Sequence, residues 1–171
     1  MLNLAVSKKL ATLLRNAGIR VVMTRTTTSG TSMGNVDRAQ IANRLHAALL
    51  IRVHCDGSSS PRDNGTHTLY PAYIRGWTSD IYRSSLRLAR LVQAELVKAL
   101  GFPDRGLNPR SDITGFNWAD VPVILPELGF LTYPAEDRVL NTSAGQEKAA
   151  LGMCRGILRF LKRSPAGCET A

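Results

Sequence analysis

Short, almost wholly apolar runs alternate with longer stretches of helical periodicity, and this alternation limits the fold more than any other feature of the chain. Residues 19–23, 48–53, 65–70 and 121–125 are rich in β-branched and other apolar side chains. Between them, Leu2, Val6, Leu10, Leu13, Leu14 and Ala17 recur at spacings of three and four and stop at Gly18. The same periodicity predicts helices over residues 36–46, 79–100 and 143–162, the second of these ending at Gly101. Strands that are apolar throughout are buried on both faces, which parallel sheets covered by crossover helices require. The expectation is an α/β fold: a three-layer α/β/α arrangement with a mostly parallel open sheet flanked by helices. Residues 24–34, dense in Thr, Ser and Gly, read as a loop. Residues 102–119, with Pro103, Gly106, Pro109 and Gly115, read as irregular. One domain spans residues 1–163, and residues 164–171 form a flexible tail.

Bulk properties narrow the function classes. The chain carries 22 Lys and Arg against 13 Asp and Glu, a formal charge of +9, so its field favours a polyanionic partner. Nucleic acid, an anionic membrane surface and an acidic wall polymer all answer to that charge. No nucleic-acid recognition motif is present. No run reaches the length of a membrane span, and no basic leader with an apolar core precedes the first helix. Three cysteines, Cys55, Cys154 and Cys168, form no CxxC pair and are odd in number, which excludes a zinc ribbon and a complete disulfide framework. They are expected as buried or free thiols, with a single Cys154–Cys168 bridge left open.

In doubly wound sheets ligands bind at the carboxyl ends of strands. Two polar residues stand there. His54 follows the run 48–53 and is either a metal ligand or a hydrogen-bonded structural histidine. Glu127, flanked by Leu125, Pro126, Leu128 and Phe130, is either a desolvated general base with a raised pKa or a buried partner of an arginine.

Several blocks carry a resemblance. Asn3-Leu4-Ala5 opens the first helix, followed by Gly18-Ile19-Arg20-Val21-Val22-Met23-Thr24-Arg25 and by Arg38 with Ala42-Asn43. Then come Ala48-Leu49-Leu50-Ile51-Arg52-Val53-His54, Gly65-Thr66-His67-Thr68-Leu69-Tyr70-Pro71 and Arg105-Gly106-Leu107. The most specific block is Val121-Pro122-Val123-Ile124-Leu125-Pro126-Glu127-Leu128-Gly129-Phe130-Leu131. In this order and spacing the chain resembles the zinc-dependent N-acetylmuramoyl-L-alanine amidases of cell-wall catabolism, which include autolysins. The resemblance implies hydrolysis of the amide between N-acetylmuramic acid and the L-alanine of the stem peptide. It implies Zn2+ as the cofactor, His54 as a zinc ligand, Glu127 as the catalytic carboxylate, peptidoglycan as the partner and an extracytoplasmic location, in the cell wall or periplasm.

The family takes two further ligands from a Gly-His-Gly-Gly loop and from a Glu before the first helix, and neither is present here. The expectation is a late start that omits a strand and both ligands, about 20 to 30 residues by usual strand and loop lengths. Such a chain is expected to hold zinc poorly and to be less stable than an extended form. The alternative is a catalytically inactive relative that binds peptidoglycan or a partner.

Among secondary candidates, His67 approaches His54 only if its strand is the neighbour, and Asp56 is expected to orient the His54 ring. Cys55 packs on the opposite side, and His46 is solvated. Tyr73, Trp77, Phe116 and Trp118 either stack on sugar or peptide or pack locally. Arg25 and Arg38 are expected in buried salt bridges, and Arg83, Arg87 and Arg90 on a solvated helix face.

Overall fold

Strand β5 (Val123–Phe130) is buried at all eight positions and is paired along both edges. The computed structural model describes residues 1–29 and 33–169. On one side of β5 run β1 (Leu50–Ile51) and β2 (His54–Asp56), two short pieces of one line, both parallel to it. On the other side β3 (Thr66–Pro71) runs antiparallel, and β4 (Asp104–Arg110) pairs with β3 in parallel at the edge. Three of the four pairings are therefore parallel, and the antiparallel β3–β5 pairing makes the sheet mixed, with β3 and β4 running opposite to β1, β2 and β5.

Alternation along β5 builds the two other layers. Ile124 and Leu128 face the main core beneath α1 (Leu2–Asn16), α3 (Tyr82–Leu100) and α6 (Ser143–Phe160). Val123 and Leu125 face a smaller cluster with Leu69, Ala39 and Phe116, under α2 (Asn35–Arg44) and α4 (Thr114–Asn117). Helices α3 and α6 close to backbone contact. A β-carbon on Gly156 would lie 2.6 Å from the Val92 Cα, and one on Gly152 would lie 2.8 Å from the Glu95 carbonyl oxygen.

Several expectations change. Residues 19–23 are extended but join no strand ladder among the described residues. Ile19 and Val21 pack against the main core, while the hydrogen bonds are local: Ile19 N–H donates to Leu14 O at 2.9 Å, and the Arg15 guanidinium donates to Val21 O at 3.2 Å. Between residues 19–25 and 49–54 lies an open groove of about 710 Å³, floored by Leu10, Leu14 and Ile157. Apolar composition alone made this segment look like a strand; a ladder also needs a neighbour. Of the expected loop 24–34, residues 30–32 lie outside the described residues.

Residues 102–119 hold β4 and α4. β4 escaped notice because it is a largely exposed edge strand with Gly106 and Pro109 and no apolar alternation. Helix α5 (Pro134–Leu140) was not anticipated at all.

Within the expected tail, Pro165–Cys168 form a 3-10 helix, and Cys168 is bonded to Cys154 of α6. Of the three cysteines expected as buried or free thiols, only Cys55 is free. Residues 170–171 lie outside the described residues.

Because the α3–α6 approach leaves no room for a methyl group, Gly156→Ala is expected to destabilise the fold by about 1–3 kcal/mol, the range for overpacking a filled core. Urea unfolding of the variant beside the parent chain measures it.

Candidate active site

Three ionisable side chains fall in one row across the sheet. His54 on β2 and His67 on β3 are both in direct register with Glu127 on β5. Residues opposite one another in a ladder project to the same side. That side is the α2/α4 face, since Glu127 alternates with Leu128 and shares its side with Leu125.

Glu127 is 7% exposed, and its carboxyl is pushed up to about 8. Burial is the main cause and the nearby Asp56 charge the second, with the Arg52 guanidinium opposing both. At neutral pH the group therefore holds its proton. Its Oε2 is buried and has no hydrogen-bond partner. The backbone around it is fixed, because Thr66 Oγ1 donates to Glu127 O at 2.8 Å.

His54 titrates below its ordinary value, first because of burial and then because Arg52, Arg25 and Arg38 repel a second positive charge. A neutral imidazole is a competent metal donor, and His54 presents one as the first residue of β2. His67 is 6% exposed and is also held low by burial, against the pull of Asp56. Its Nε2 lies 3.4 Å from Asp56 Oδ2, and its Nδ1 has no partner.

Asp56 thus serves His67 and not His54, contrary to the sequence expectation. The register explains this: one residue separates His54 from Asp56, while two separate their partners Glu127 and Phe130. The irregularity turns the Asp56 carboxylate toward β3.

The fit to zinc is incomplete. Among the described residues no three His, Cys, Asp or Glu side chains gather as a metal-binding group. His54 and Glu127 supply one imidazole and one carboxylate, whereas a catalytic zinc takes three protein ligands and leaves a position open. Cys55 adds nothing here. It packs on the main core, and burial pushes its thiol up to about 12.

Comparison with known proteins gives this arrangement its context. The family model described as "Amidase_3: N-acetylmuramoyl-L-alanine amidase" matches residues 1–159. The chain belongs to this family. It is 30% identical over 159 residues to an N-acetylmuramoyl-L-alanine amidase of Mycobacterium tuberculosis, covering 90% of this chain and 64% of that one. Among solved structures, it resembles an N-acetylmuramoyl-L-alanine amidase of Clostridium difficile 630, with a TM-score of 0.84 and 31% identity. That match covers 94% of this chain and 82% of the other. The catalytic domain of the amidase CwlV from Paenibacillus polymyxa matches with a TM-score of 0.82 at 26% identity, covering 94% of this chain and 83% of that one. The chain thus spans just under two thirds of the length of the mycobacterial relative.

Other residues of this Amidase_3 chain depart from expectation. Arg25 and Arg38 form no ion pair among the described residues. Arg38 instead donates to Thr24 Oγ1 at 2.6 Å. Arg52 was not singled out beforehand. It donates from Nη2 to Asn35 Oδ1 at 2.9 Å, while its Nη1 is buried and unpaired beside Gly115.

Glu136 was also missed. It is 2% exposed, and its two oxygens accept from Gly65 N at 2.5 Å and Phe130 N at 2.8 Å, which ties the loop before β3 to the end of β5. Pro134 followed by an acid two residues on is a helix-start signature that could have flagged it.

A carboxyl that titrates near 8 in the fold and near 4.5 when unfolded binds more protons in the native state between those values, so it lowers stability as pH rises through that window. Glu127→Gln is expected to raise the thermal midpoint at pH 9 and to leave a smaller gain at pH 4. Parallel melting curves for both proteins across that range would refute this assignment.

Proposed function

We propose that the chain is a peptidoglycan hydrolase that cleaves the amide between the lactyl carbonyl of N-acetylmuramic acid and the L-alanine of the stem peptide. The observation that carries this reading is the placement of Glu127. It is a buried carboxyl in the middle of the family's most specific block, directly opposite His54 and with an unpartnered oxygen. In the reaction, water adds to the lactyl carbon and the C–N bond breaks. Deprotonated Glu127 accepts the proton of the attacking water. Protonated Glu127 supplies one to the leaving alanine nitrogen. A group whose pKa lies near the working pH can do both.

Zinc belongs to this reading, with His54 as one of its ligands. His54 also lines the groove beside β1. We also place the protein outside the cytoplasm. The Cys154–Cys168 bridge supports this, because disulfides persist in oxidising compartments, and the +9 charge suits an anionic wall. No helix among the described residues is long and apolar enough to cross a membrane.

The incomplete donor set favours a second reading, a family member that binds peptidoglycan without cutting it. One assay separates the two. Purified sacculi are incubated with the chain and with zinc, and released stem peptides are separated by chromatography. Hydrolysis is expected, falling by about 100-fold or more in Glu127→Gln, the scale of a lost general acid–base. His54→Ala is expected to lower bound zinc, read by mass spectrometry of the metal. Retention on sacculi with no peptide release by the parent chain establishes the binding-only reading.

A further inference from the structure

The chain has two tryptophans, and both are half exposed: Trp77 at 55% and Trp118 at 50%. They sit together. Trp77 Nε1 donates to the Asn117 carbonyl at 2.6 Å, so its ring is bonded to the peptide unit that leads into Trp118. Tyr73, 60% exposed, precedes the turn of Trp77, and its ring packs edge-on against Tyr82. Exposed apolar side chains gathered in one patch mark binding surfaces, whereas singly scattered ones do not.

Both rings stand on rigid supports. The turn carrying Trp77 is closed by Thr78, which is 1% exposed, donates to Ala72 O at 2.5 Å and accepts from Ile74 N at 3.0 Å. Trp118 follows α4, whose Phe116 is wholly buried. Asn43 clamps this segment from α2, donating to Trp118 O at 2.9 Å and accepting from Asp120 N at 2.9 Å. Aromatic side chains fixed before binding lose little entropy when a ligand covers them. The indole donor of Trp77 is already used, which leaves the ring faces as what this ledge presents. Beside them Asn117 Oδ1 is a buried acceptor without a partner.

The ledge lies on the same side of the sheet as Glu127. Phe116 packs with Val123 and Leu125, and Gly115 lies against the guanidinium of Arg52. Glu127 stands four residues along β5 from Val123, about 13 Å at the usual rise of a strand. Peptidoglycan is long enough to span both places.

We propose that Trp77 and Trp118 form a glycan-binding ledge that stacks on N-acetylhexosamine rings of the strand whose amide is presented to Glu127. The proposal rests on the hydrolase reading for its choice of ligand. A pyranose ring offers an apolar C–H face to an indole, and an acetamido group adds an N–H donor. The positive field would draw in any anionic polymer, whereas stacked rings select a sugar chain.

Because no other tryptophan is present, intrinsic fluorescence reports on the ledge alone. The 171-residue chain is titrated with chitotetraose, and the same preparations are tested for retention on sacculi. A saturable change in tryptophan emission is expected, weaker with cellotetraose, which lacks acetamido groups. Trp77→Ala and Trp118→Ala are each expected to weaken retention by about 3- to 10-fold, the scale of one aromatic contact. Trp77→Phe and Trp118→Phe show which ring carries the emission change and keep the test valid if an alanine variant misfolds. No emission change with chitotetraose, together with unchanged retention of the variants, overturns the proposal. Chitotetraose binding without peptide release supports the ledge while removing the hydrolase reading.

Discussion

A carboxyl group set inside a strand buried at every position is the element to which the surrounding structure answers. Glu127 cannot ionise cheaply in that setting, so the charges near it are arranged in opposition: Arg52 favours the anion and Asp56 disfavours it. The backbone on either side leaves little freedom. β5 is laddered on both edges, Thr66 holds the Glu127 carbonyl, and Glu136 grips the amide of Phe130. The backbone that carries the side chain is held in place, and the charges around it set its protonation separately.

The pattern of satisfied and unsatisfied polar groups repeats this division. The buried groups that support the sheet are well paired. Gln93 alone accepts from Thr68 and donates to both Thr66 O and the Asp104 carboxylate, and Glu136 uses both of its oxygens. Among the described residues, the unpaired buried side-chain atoms belong to Arg52, His67, Glu127 and Asn117. Three of these border the His54–Glu127 row, and the fourth adjoins the tryptophans. Unsatisfied buried polar atoms are costly and rare, and their concentration on one face marks where the protein meets something other than itself.

The layers were legible in the sequence because they follow from apolar runs and helical periodicity, whereas Glu127, expected at a strand end, lies within β5, which continues to Phe130. What was not legible depended on partners distant in the chain. Edge strand β4 has no periodicity of its own and exists because β3 offers it a ladder. Residues 19–23 have the composition of a strand and lack a ladder for want of such a neighbour. The turn of Asp56 toward His67 comes from one register irregularity, which strict alternation hides. The Cys154–Cys168 pairing needed the fold that brings residue 168 back onto α6.

The close seating of α6 on α3 bears on how the molecule moves. With Gly152 and Gly156 against the backbone of α3, neither helix can slide or roll without collision, so the layer behind the sheet behaves as one stiff plate. The side bordered by residues 19–25 has no ladder and an open groove. His54 lines that groove, and Glu127 belongs to the strand laddered on both edges.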